Sequence, residues 1–357
     1  MTQNVYHFFM SALAPNGFNS YFSELTDQGR YKSAYLIKGG PGSGKSTLIK
    51  KAAEKMAEKG ERIELIHCSA DPASFDGAVF SDKITMLDAT APHIVNPEMP
   101  GVFERMVSLY DCFDNKKLKE NERDIRKAIS VEEINKSRAD SFIRAAGMLL
   151  YSNESIAARY INTDKLSAFI TRLCMREIKK PQTYRGEVRK RYLSTLSKDG
   201  VFMFTDTAKK LCDRLFVIND ENGAVSGAIL EAVLKMAISM GHTVYSCTCP
   251  MSKSGRIEHL FIPEISLGFM TSNKFHPIDI PAYKTIHTSR FTDKEKMRQY
   301  SFRASFQRKA ARELLKEAAT FSENRLLAHQ KLEEFYVKSC NFTERKALFD
   351  AVLSELN

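Results

Sequence analysis

The stretch AYLIKGGPGSGKSTLIKKAAEKMA, Ala34 to Ala57, decides how the chain is to be read. It opens, with Ser33 before it, on a short apolar run of the kind that makes a buried strand. It closes on Leu48, Ile49, Ala52, Ala53 and Met56, a helical spacing that Gly60 would stop. Between them Gly39 to Ser46 satisfy G-x-x-x-x-G-K-[ST]. Strand, glycine loop and helix therefore come in the order this pattern needs. Glycines let the backbone fold tightly so that successive N–H groups point at one spot, and the following helix presents its positive end to the same place. An anion is the natural occupant.

On these residues the chain resembles the P-loop NTPases. The resemblance implies that Gly39, Gly40, Pro41, Gly42, Ser43, Gly44, Lys45, Ser46 and Thr47 hold nucleotide phosphates. Lys45 would reach the β- and γ-phosphates, and Ser46 would give its hydroxyl to Mg²⁺. An aspartate ending an apolar strand should share that metal. Ile84, Met86 and Leu87 form such a strand and Asp88 ends it, although an aspartate there also suits a plain turn. A further strand runs from about Arg62 to Cys68, followed by Asp71, Pro72, Asp76 and Gly77. Ligands of open α/β sheets gather beyond the carboxyl ends of strands, where His67, Asp71, Asp76 and His93 would sit. Asp71, Asp76 or His93 would orient the nucleophile; local turn chemistry is the alternative for each. Ala89 follows Asp88 where many ATPases of the superfamily carry glutamate. No N-K-x-D occurs, which favours ATP over GTP, and no L-S-G-G-Q points to a transporter ATPase.

The line RLFVINDENGAVSGAILEAVLKMA, Arg214 to Ala237, echoes the opening one. FMSALAPNGF from Phe9 also aligns on YLSTLSKDGV from Tyr192, GERIELIHC on GHTVYSCTC, and FSDKI from Phe80 on FIPEI from Phe261. Four blocks in one order argue for internal duplication. Aligned without gaps, Asn219 replaces Gly39, Asp220 replaces Gly40, Ala224 replaces Gly44, Val225 replaces Lys45, and Phe269 stands opposite Asp88. Losing the lysine and gaining Asp220 and Glu221 puts like charge where phosphate oxygens would lie. The second copy is expected to keep the fold and not the nucleotide. Arg256 is a candidate finger toward the first copy's γ-phosphate, or an ordinary surface arginine.

Of the 357 residues, 43% are hydrophobic, which suits compact globular structure. Seven cysteines scattered from Cys68 to Cys340 fit reduced thiols, and the reading is of a soluble cytoplasmic protein with no membrane span. Cys247 and Cys249 give a metal hint with no histidine cluster adjoining in sequence, so they read as small strand residues. The charge of +10 is densest over Arg176 to Arg191; a solvated linker is favoured there over a nucleic-acid contact.

The expected fold is α/β: two tandem P-loop cores with mainly parallel sheets, each followed by helices. The domains would be 1–112, a helical segment 113–185, a degenerate core 186–290 and a helical tail 291–357. Through HCSADPASFDG and DATAPH, nearly the whole chain is similar to bacterial tandem P-loop ATPases, also described as nucleotide-kinase-like. That resemblance implies ATP and Mg²⁺ as ligands and an ATPase using the first site. A small-molecule or nucleotide kinase, and a nucleotide-gated scaffold for nucleic acid or protein, remain the alternatives.

Overall fold

The computed structural model describes residues 4–179 and 186–356. Lys180 to Arg185, in the middle of the basic run, thus lie outside the described residues. The first half runs β1 (Val5–Phe9), β2 (Ser11–Ala14), β3 (Gly17–Ser20), β4 (Ser33–Lys38), α1 (Lys45–Glu58), β5 (Ile63–His67), β6 (Phe75–Phe80), β7 (Ile84–Asp88) and β8 (Glu104–Ser108). Helices α2 (Asn115–Glu120), α3 (Glu122–Ala158) and α4 (Thr163–Glu177) follow. The second half repeats the plan with β9 (Glu187–Arg191), β10 (Ser194–Ser197), β11 (Gly200–Met203), α5 (Thr205–Leu211), β12 (Arg214–Asn219), α6 (Ala224–Ser239), β13 (Thr243–Thr248), β14 (Ile257–Ile262), β15 (Leu267–Ser272) and β16 (Lys284–His287). It ends on α7 (Lys294–Gln299), α8 (Ser301–Lys338) and α9 (Phe342–Glu355).

The fold is α/β with two repeated cores. The first six-stranded sheet has the order β1-β5-β6-β7-β4-β8 and the second β9-β13-β14-β15-β12-β16. In each, the third strand in that order runs antiparallel to its neighbours and every other pairing is parallel. Even the irregularities recur: the register shifts between Ile66 and His67 in one sheet and between Cys247 and Thr248 in the other. Gly17 and Gly200 turn their hairpins at φ of 110° and 96°, and Gly60 and Gly241 follow α1 and α6 at 76° and 80°. These are left-handed conformations that favour glycine, which is why the glycines of the two copies align.

Strand register corrects the gapless alignment of the two loops. β4 against β7 and β8, and β12 against β15 and β16, place Ile37 opposite Ile218, and so Lys38 opposite Asn219. The helix caps then match Gly44 with Gly223 and Lys45 with Ala224. The second loop, 220–223, is two residues shorter than the first, 39–44. Thr271 takes the place of Asp88, because Ile37 pairs Asp88 and Ile218 pairs Thr271; Phe269 lies two residues deeper in the sheet.

Two compact units assemble from interleaved segments. One gathers Met1–Ser11, Ser20–Ala139 and Ala319–Asn357; the other gathers Ala12–Asn19 and Asp140–Ala318. In the first unit, α1 buries Leu48, Ile49, Ala52, Ala53 and Met56 in a core that Phe349, Val352 and Leu356 of the chain's last helix complete. Lys55 Nζ and Lys59 Nζ donate to the carbonyls of Leu353 and Leu356 at 2.6 and 2.9 Å, capping α9 with cations at its negative end. In the second unit, α6 buries Ile229, Leu230 and Val233 in a core closed by Leu166, Leu173 and Cys174 of α4. Isolated bridges repeat the arrangement, Phe113 with Cys340 in one unit and Ile161 with Thr292 in the other. Each core is thus finished by helices from the other half of the sequence.

The basic run is not simply a solvated linker. Arg191 is wholly buried on β9, and Arg189, also buried, donates from Nη1 to Tyr245 Oη at 2.9 Å.

Phe349→Ala should destabilise the first unit by about 3 to 5 kcal/mol, the cost of truncating a buried phenylalanine. Amide exchange should rise across α1 and β4; an effect below about 0.5 kcal/mol would mean that the last helix does not belong to this core.

Candidate functional site

In the first unit the loop 39–44 leaves the carboxyl end of β4, in the middle of the parallel strands, and enters α1. Gly42 and Gly44 have φ of 65° and 97°. Backbone turned this way aims amides inward, and among the described residues no acceptor engages the N–H groups of Gly44, Lys45, Ser46 and Thr47. Lys45 folds back, donating to the carbonyls of Gly39 at 2.8 Å and Gly40 at 3.0 Å, with Asp88 Oδ2 at 3.6 Å. Ser43 Oγ is buried with no hydrogen-bond partner. Ser46 Oγ accepts from the Phe75 N–H at 2.9 Å and keeps its own proton to give. A cradle of open amides, a held ammonium and a buried orphan hydroxyl fits an anionic phosphate group.

Asp88 closes β7 beside this loop. Burial raises its carboxyl above the usual range, opposed by the Lys45 ammonium and by hydrogen bonds from Thr90. The Thr90 N–H donates to Asp88 Oδ1 at 2.8 Å, and the Thr90 hydroxyl lies 3.4 Å from the Gly39 carbonyl. Thr90 ties the aspartate to the loop, a role the sequence reading missed; its signal was an Asx turn two residues after Asp88. Ser46 offers a hydroxyl and Asp88 a carboxylate, donor types that hard divalent cations such as Mg²⁺ take.

Asp76 and His93 meet. His93 Nε2 lies 3.1 Å from Asp76 Oδ2, both groups are buried, and Phe22 stacks on the imidazole at 4.2 Å. Asp76 sits beside Asp88 at the same sheet edge, because β6 and β7 pair antiparallel with Gly77 opposite Leu87. Asp71 stands apart from this group: its Oδ1 accepts from the Ala73 N–H at 3.2 Å and shapes the turn into β6. His67 is a packed residue, with Nδ1 2.5 Å from the Pro72 carbonyl oxygen and Nε2 2.8 Å from His7 Nδ1.

The loop is also covered from outside by the chain's last helices. A Cβ on Gly40 would meet the Tyr336 ring at 2.9 Å, and one on Gly42 would meet the Glu333 carbonyl oxygen at 2.9 Å. One on Gly44 would lie 3.3 Å from an Arg345 guanidinium nitrogen. Arg345 is thus the arginine at the first loop. Arg256, the finger candidate, is partly buried in its own unit 3.4 Å from Glu154, with its side chain laid across Gly223 and Gly227.

The second loop has lost more than a lysine. Asp220 Oδ2 accepts from the Ser226 N–H at 2.8 Å and Oδ1 from the Asn222 N–H at 3.1 Å. An internal carboxylate therefore occupies the helix N-terminus that a phosphate would need. The Arg256 guanidinium fills the space beside it.

Burial outweighs the Pro72 carbonyl and pushes His67 down to about 4, with His7 adding to the shift. As pH falls, the unfolded chain takes up this proton first. Stability from neutral His67 is therefore full above about pH 6.5 and lost toward pH 4, by at most about 3 kcal/mol. His67→Gln should flatten the urea-midpoint profile over that window; an unchanged slope would assign the acid loss to other groups.

A family model described as "Methylmalonyl Co-A mutase-associated GTPase MeaB" matches residues 23–109, about a quarter of the chain and most of the first core. No match was found among curated proteins or solved structures. No described helix is long and apolar enough to cross a membrane. The family match and the loop's geometry together support a P-loop NTPase type of nucleotide-binding core in the first half.

Proposed function

We propose that this protein is a Mg²⁺-dependent nucleoside triphosphatase that uses only the first loop. The observation that carries the reading is the row of unengaged amides from Gly44 to Thr47 with Lys45 held at the loop's mouth by Gly39, Gly40 and Asp88. A triphosphate offers Lys45 better partners than two neutral carbonyls, since a charge-assisted hydrogen bond is about twice as strong as a neutral one. The ammonium would leave those carbonyls for the β- and γ-phosphates. Backbone amides of Gly44 to Thr47, with others of the Gly39 to Ser43 loop that can turn to them, would then bind the oxygens on which charge develops. Ser46 and Asp88 would hold Mg²⁺, which when bound neutralises phosphate charge. Thr90 keeps Asp88 aimed.

The Asp76–His93 pair is the candidate for orienting the attacking water. Asp76 holds Nε2 of the imidazole and Phe22 stacks on its face, so the ring's orientation is fixed. Arg345 stands at Gly44 as a second cation near the phosphates. Because the protein's last helices cover the loop, slow turnover that speeds when a protein partner shifts them is the expected behaviour.

The matched family is named as a GTPase, which favours GTP, whereas the sequence has no N-K-x-D and favoured ATP. GTP is the nucleotide we put first. A kinase reading draws on the absence of a glutamate after Asp88, where Ala89 stands. Phosphate release from Mg-GTP and Mg-ATP should be measured on the whole chain and on Lys45→Ala, with and without nucleoside and sugar acceptors. Loss of about 100-fold or more in the variant is expected, with GTP preferred and no acceptor needed. Equal turnover in the variant would remove the first loop from the chemistry, and acceptor dependence would make the protein a kinase.

A further inference from the structure

We infer that the second unit holds a divalent metal ion, zinc by its donor set, on Glu258, His259 and His276. These three side chains are buried together, and one ligand atom from each lies within 4.8 Å of the other two. His276 Nε2 is 3.1 Å and His259 Nε2 3.8 Å from the same oxygen, Glu258 Oε2. Two ligands of a tetrahedral ion at bond lengths of about 2.0 Å sit about 3.3 Å apart, so these separations bracket the required one.

His276 Nε2 and Glu258 Oε2 stand at ion-pair distance, and beyond that contact the three groups lack partners. Glu258 Oε2 and both ring nitrogens of His259 and of His276 have no hydrogen-bond partner among the described residues, although all are buried. Nε2 of each histidine faces the same carboxylate oxygen, as ligands around a shared ion do. Such a cluster of buried, unpaired polar atoms is costly without an occupant. Charge points the same way. Glu154, Asp220 and Glu258 all act on the Arg256 guanidinium, and a divalent ion would add positive charge to this acid-rich group.

Comparison of the two cores shows how the site arises. Register places Asp76 opposite Glu258 and Gly77 opposite His259, and His93 and His276 each follow the matched Asp88 and Thr271 by the same spacing. The acid–histidine pair, 3.1 Å apart in each core, is thus common to both. The second core adds a third ligand where the first has glycine. Glu258, His276 and Cys249 also line a cavity of about 70 Å³, so an ion on three protein ligands would turn its fourth position toward that space.

The test uses the full chain, stripped with chelator, titrated with Zn²⁺ against a chromophoric chelator and assayed for metal after desalting. One zinc per chain is expected, weakened more than about tenfold in His259→Gln and in His276→Gln and unchanged in Lys45→Ala. Absence of zinc from the parent chain, or a full equivalent kept by both histidine variants, overturns the assignment. Should a variant fail to fold by circular dichroism, Co²⁺ added to the parent chain decides. Intense visible bands of a four-coordinate site support the inference, and the pale spectrum of hexa-aqua cobalt refutes it.

Discussion

A helix that begins where a strand ends leaves its first amides without partners inside the helix, and something must accept from them. Most of what distinguishes the two halves of this protein follows from how each meets that demand. In the first unit the amides of Gly44 to Thr47 stay open, the glycines keep side chains out of the cradle, and Lys45 waits on neutral carbonyls. In the second unit Asp220 supplies the acceptor itself, through the Ser226 N–H, and the loop is two residues shorter. One loop is shaped for an external anion and the other carries its own.

Once Asp220 occupies the helix end, the second core is free to bury charges that a nucleotide site could not tolerate. Arg256 crosses Gly223 and Gly227, balanced by Glu154 and by Glu258 beyond it. The acid–histidine pair of the first core becomes, with His259, the proposed ligand set in the other. The degenerate half is also structurally necessary. Phe349, Val352 and Leu356 complete the core that carries the intact loop, and Tyr336, Glu333 and Arg345 press on the loop's glycines. Deleting the second half would take these away.

The sequence revealed what depends on local pattern. The strand–loop–helix unit from Ser33 to Glu58, the strand ending at Asp88, the repeat and the helical segments all stand near their expected bounds, because apolar spacing and glycine stops are short-range signals. What depends on register or on distant chain was hidden. A gapless alignment set Val225 against Lys45, since nothing in the letters marks a two-residue deletion; paired strands do, and they give Ala224. Asp71 resembled Asp76 in sequence, yet only Asp76 lies on β6, where it meets His93. Covering of the loop by Tyr336 and Arg345, nearly three hundred residues downstream, has no local signal. The exchange of helices between units is hidden for the same reason.

The central claim is that one loop accepts a nucleotide and its copy does not. Calorimetric titration of the whole chain with a non-hydrolysable GTP analogue and Mg²⁺, repeated with the ATP analogue, tests it most directly. The account predicts one equivalent bound per chain, abolished or severely weakened by Lys45→Ala. Two equivalents, or one that survives that substitution, would place a nucleotide where Asp220 already sits and would contradict it.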